Sequence, residues 1–102
     1  MSGKFGSADL VAGSDTLLHT VGAGKIATIS ARFANRNAFP IRVSLAVGST
    51  AAPETKDYLT YELEVGPNGV HEDSGIPMSA GEKVWARSDS DNVSVRVSGF
   101  EE

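Results

Sequence analysis

Val93-Ser94-Val95-Arg96-Val97-Ser98 sets apolar against polar residues at every second position, and this period of two returns along nearly the whole chain. A strand turns successive side chains to opposite faces, so the pattern specifies strands with one buried side. Val93, Val95 and Val97 line a core while Ser94, Arg96 and Ser98 meet water or a partner. No segment shows a competing helical period. The chain has 102 residues, 40% hydrophobic and 22% charged, which suits one globular domain around one core. It has no cysteine, so packing has to hold it without disulfides, and thiolate chemistry is excluded.

Residues 1–14 read as a Gly- and Ser-rich arm with a possible short strand near 8–11, and 15–102 as a single β-sandwich domain. Strands are expected over 15–21 and then from Lys25, where Ile29, Ala31 and Phe33 share a face. After Pro40, Ile41, Val43, Leu45 and Val47 alternate cleanly, and 48–56 reads as an exposed loop. Over 57–65 the alternation puts Leu59, Tyr61, Leu63 and Val65 on one side and Tyr58, Thr60, Glu62 and Glu64 on the other. Gly66-Pro67-Asn68-Gly69 is a strong turn signal, followed by strands over 70–76, 83–88 and 93–100. About eight short strands at regular spacing predict an all-β, antiparallel β-sandwich, jelly-roll-like or Ig-like. An Ala-Gly turn launches a strand twice, at Ala23-Gly24-Lys25 and Ala80-Gly81-Glu82, as equivalent corners of two sheets would.

The charge of -4 argues against general nucleic-acid binding, and Arg32, Arg36 and Arg42, the one basic cluster in sequence, read as a rim of polar contacts. The first residues lack the apolar stretch of a secretory signal and nothing reaches the length of a membrane span, so a cytosolic product with no membrane partner is expected. Gly22-Ala23-Gly24-Lys25 resembles the end of a phosphate loop but lacks its leading glycine, the following Ser or Thr, and a helix. His19 and His71 stand on separate strands as surface residues, and because neighbours in a strand point to opposite faces, His71, Glu72 and Asp73 cannot converge without a bulge. Asp89, Asp91 and Asn92 crowd one turn without the glycine and distal glutamate of a calcium loop, so turn chemistry is the reading. No cofactor, metal or catalytic residue is expected.

Trp85 is the sharper residue. If Val84 and Ala86 fill the core, Trp85 projects outward beside Lys83 and Arg87 as a subunit contact or a sugar-stacking surface; alternatively Trp85 is itself core and Val84 points out. Tyr58, opposite the Leu59 face, is a weaker case of the same kind.

Several stretches together resemble a family of small virion structural proteins of tailed phages, of the cyanophage and marine-phage type. They are 16–27 (TLLHTVGAGKIA), 35–46, 57–63, 67–72 (PNGVHE), 75–84 (GIPMSAGEKV) and 93–102 (VSVRVSGFEE). Family members usually carry tyrosine where His19 stands and proline where Gly22 stands. The resemblance implies a non-enzymatic particle component assembled in the host cytoplasm into the virion. The expected role is a capsid decoration or cement protein, a homo-oligomer, expected as a trimer, bound to the major capsid protein or other virion proteins. Candidate contacts are Lys4 and Phe5 on the arm, Arg32, Arg42, Tyr58 and Trp85 on strand faces, and the loop 48–56. A tail, baseplate or fibre component is the alternative, and a carbohydrate-binding module using Trp85 or Tyr58 is the alternative of another class.

Overall fold

The computed structural model describes residues 2–102, and Met1 lies outside them. Eight strands form: β1 (Ser2–Leu10), β2 (Thr16–Thr20), β3 (Ala27–Asn35), β4 (Ile41–Gly48), β5 (Tyr58–Val65), β6 (Val70–Met78), β7 (Lys83–Ser88) and β8 (Val93–Glu101). A single 3-10 turn, Thr55–Asp57, is the one other regular element among the described residues. The strands build two four-stranded antiparallel sheets, β1-β8-β3-β6 and β2-β7-β4-β5. Each strand pairs with the one equally far from the opposite end of the chain, β1 with β8, β2 with β7, β3 with β6 and β4 with β5. That nested order is the jelly roll, which decides between the two sandwich topologies.

The core lies between the sheets. Ile29, Ala31 and Phe33 of β3, Ile41, Val43 and Leu45 of β4, and Val93, Val95 and Val97 of β8 are all at most 2% exposed, as their alternation predicts. Val47 is only partly buried against this cluster. The expected turns also form: Gly69 N donates to Gly66 O at 2.9 Å around Asn68, whose φ is 56°. The two Ala-Gly corners are neighbours at one end of the sandwich. Lys25 N donates to Gly22 O and Glu82 N to Ser79 O, both at 3.1 Å, and Val21 bonds across to Glu82 and Gly81.

At the opposite end, buried Asn35 ties three connections together. Its Nδ2 donates to the carbonyls of Phe39, Val65 and Gly66 at 2.9–3.2 Å, and its Oδ1 accepts from Asn37 N at 2.9 Å. Asn37 Nδ2 donates onward to Asp91 O at 2.8 Å. The acidic turn is built as turn chemistry: Asp89 Oδ1 accepts from Arg42 N, and Asp91 Oδ1 from Ala12 N, each at 2.9 Å.

Three expectations need correction. The N-terminal segment is not an arm with a short strand: residues 2–10 are a full edge strand on β8. Its Gly and Ser residues carry no apolar pattern, but pairing is a backbone property and β8 supplies the partner. The second concerns β5, whose register slips twice against β4, between Val43 and Leu45 and between Leu45 and Ala46. Thr60 pairs with Leu45 and Leu63 with Val43, so Tyr61 and Glu62 together oppose Ser44 and the strict alternation fails. Leu59 and Tyr61 are 56% and 63% exposed instead of facing the core. Third, the histidines are not surface residues, as the site geometry shows.

Candidate functional site

The two sides of the sandwich are closed differently. On the β1/β2 side, bulges at Phe5 and Leu18 bring the edge strands together, and Gly6 lies so close to the Leu18 carbonyl that any Cβ would overlap it. Phe5 stacks on the His19 ring with centroids 4.4 Å apart, and His19 Nε2 lies 2.7 Å from Glu101 Oε1. On the β5/β6 side the link is polar: Thr60 Oγ1 donates to Asp73 Oδ2 at 2.6 Å, and His71 Nε2 lies 3.1 Å from Asp73 Oδ1. The carboxylate stands between hydroxyl and imidazole. No His71–Thr60 bond exists to raise the nucleophilicity of that hydroxyl, so the trio is arranged as a clasp between β5 and β6. Glu72 points the other way, to Arg32 at 3.6 Å.

Outward from the second sheet, the register places two rows. Leu17, Trp85, Ala46 and Tyr58 pair successively across β2, β7, β4 and β5. In the adjacent row, Arg87 pairs with Ser44, which is opposed by the bulged Tyr61 and Glu62, and Asp15 lies beside Arg87 at 3.8 Å. The bulge is held by Glu62 N donating to Ser44 Oγ at 3.0 Å, with Glu62 at φ 52°, a left-handed conformation that is costly for a residue with a Cβ. Its effect is to turn Tyr61 and Glu62 to the face that carries Arg87.

There the groups converge. The Arg87 guanidinium carbon lies 5.4 Å from the Tyr58 ring centre and 5.8 Å from that of Tyr61, and the two rings meet edge to face at 5.0 Å. Glu62 Oε1 is 3.6 Å from Arg87 Nη2. The loop 49–57 returns over the same face, and its Pro53 and Thr55 close a cavity of about 600 Å³ with Tyr58, Tyr61 and Arg87. Partial burial pushes the Tyr58 hydroxyl above its ordinary pKa, and the Asp15 carboxylate adds to the rise.

No protein-family model matches the chain, and neither a curated protein nor a solved structure matches it.

The structure separates the predicted contact residues. Trp85 faces outward, since Val84 and Ala86 belong to the core cluster and it does not, yet it is only 4% exposed. The expected exposed indole is thus a covered one. Tyr58 is half-buried in the cavity wall beside that row. Arg42 is exposed on the same sheet, while Lys4 and Arg32 are exposed on the other sheet's outer face and Phe5 is inserted against His19. Arg36 pairs with Asp9 at 2.9 Å, so Arg32, Arg36 and Arg42 form no common patch. Sequence reasoning passed over Arg87, Tyr61 and Glu62 as a group, because the bulge that unites them carries no glycine to signal it.

Proposed function

We propose that the protein is a non-enzymatic phage virion subunit that decorates or cements the capsid as a homo-oligomer, using the β5/β6 side of the sandwich for its contacts. The observation that carries this reading is the asymmetry of the two sides. The β1/β2 side is joined by stacked rings and close backbone approach and its edge strands leave one large apolar side chain exposed, Leu17 at 49%, whereas edge strand β5 leaves Leu59 56% and Leu63 38% exposed, and neighbouring edge strand β6 leaves Val70 51% exposed. Exposed apolar side chains along unpaired strand edges favour association, and a functional assembly covers them. The sequence resemblance supplies the particle context. A trimer at a local three-fold position gains from avidity, since several modest contacts made together bind far more tightly than one.

The test is the mass of the purified chain in solution, followed by its copy number in purified particles. An oligomer that Leu63→Asp converts to folded monomers, present in hundreds of copies per particle, supports the reading. A handful of copies would move the protein to the tail or baseplate. A wild-type monomer at about 100 μM that is also missing from particles would refute it.

A further inference from the structure

We infer that the cavity beneath the loop 49–57 is a binding site for an uncharged saccharide, with the exposed Tyr61 ring as the stacking surface, the Tyr58 ring set edge to face beside it as a wall, and Arg87 as the hydrogen-bond donor. The site lies on the outer face of the second sheet.

Three observations carry this. First, Tyr61 is 63% exposed and forms a cavity wall with half-buried Tyr58, so apolar ring surface is available to the C–H face of a pyranose. Secondly, Arg87 is oriented but not consumed. Its carboxylate contacts at 3.6 and 3.8 Å lie beyond hydrogen-bond reach, so the two rings and two carboxylates position the guanidinium while its N–H groups stay open to ligand hydroxyls. Thirdly, the arrangement depends on Glu62 in a left-handed conformation, a local cost that a regular strand would avoid. Without the bulge Tyr61 would not share a face with Arg87.

Charge selects the ligand class. Asp15 and Glu62 flank a single guanidinium, which disfavours a sulfate, phosphate or uronate, and Arg87 disfavours a cation. A neutral polyol carries no charge for the flanking carboxylates or the guanidinium to repel, and its hydroxyl oxygens can accept from the Arg87 N–H groups in the cavity wall.

The experiment is an NMR titration of the intact protein with cellotetraose, maltotetraose, mannotetraose and chitotetraose, with an oligogalacturonate as the anionic comparison. Saturable shifts of the Tyr58 and Tyr61 ring signals and the Arg87 side-chain N–H with at least one neutral glycan are expected. Tyr61→Ala should weaken that binding about tenfold or more, and Tyr61→Phe, which keeps the ring, should retain it. The inference is overturned if no neutral glycan gives saturable shifts up to about 10 mM. Preference for the oligogalacturonate, shifts mapping to another face, or unchanged binding in Tyr61→Ala would overturn it equally.

Discussion

His19 Nε2 and Glu101 Oε1 lie 2.7 Å apart between the sheets, joining β2 of one to β8 of the other, with Phe5 stacked on the imidazole. The hydrogen bond to His19 holds the Glu101 carboxyl below the ordinary glutamate value of 4.5, with Gly22 N adding to the effect. Folding therefore favours the ionised form. The stability this linkage contributes is complete above the ordinary glutamate pKa and is lost as the pH falls through the lowered one. Urea unfolding of wild type and Glu101→Gln between about pH 6 and pH 2 checks it. The wild type should lead at the upper end and the two curves should converge at the lower; a constant gap would show that the carboxylate's ionisation is not involved.

Gly99 faces Ile29 on β3 at φ 157°, and a Cβ there would overlap the Thr28 carbonyl and come within 2.8 Å of Ile29 Cα. Both obstacles are backbone in a central strand, which cannot yield as a side chain does. Gly99→Ala should cost about 2–4 kcal/mol in chemical denaturation. Gly13→Ala, with φ 75° but open space around it, should cost only about 1–2 kcal/mol.

Buried Asn35 donates to three carbonyls and accepts one backbone N–H. Asn35→Ala strands those groups and should destabilise the fold by about 2–3 kcal/mol. Asn35→Asp should be worse near neutral pH, because a carboxylate would face three carbonyl oxygens, and should recover in part once acid restores a donor. Thermal melts at two pH values would show whether that recovery occurs.

Arg32 and Arg96 are direct cross-strand partners on the exposed face of the first sheet, where only Arg32 has a carboxylate neighbour, Glu72, among the described residues. Like charges placed directly opposite oppose pairing. Arg96→Glu should therefore stabilise the domain by about 0.5–1 kcal/mol at low salt, and the gain should shrink as salt screens the pair. An unchanged melting temperature at low ionic strength would contradict it.

Where a strand is central and carries no extra residue of its own, the alternation of residues gives its buried face directly, as for Val93 to Val97 on β8 and for Ile29 to Phe33 on β3, whose break in register against β6 is taken up in the edge strand. Edge strands were less readable for physical reasons. Of β1 only Phe5, Ala8 and Leu10 pack on the core, so most of its pairing rests on the backbone of β8 and is silent in the sequence, and the bulges in β5 reverse the face of Tyr61 without a glycine to mark them. Alternation left two directions open for Trp85, and only the burial of Val84 and Ala86 in the core cluster shows that it points outward while still covered. The cluster of Arg87, Tyr58 and Tyr61 likewise exists only through register, so spacing along the chain could not reveal it.

The concentric pairing of strands also governs the order in which the chain can fold. Bringing β1 to β8 directly closes a loop of nearly the whole polypeptide, whereas β4 and β5 meet across residues 49–57, the longest link between successive strands yet a small fraction of that loop. Each inner pair that forms shortens the excursion left for the next, so the entropic cost of closure is met in instalments from the middle outwards. By closure entropy alone the central hairpin is the least costly pair to form first, and the joining of the first and last strands the most costly to form early.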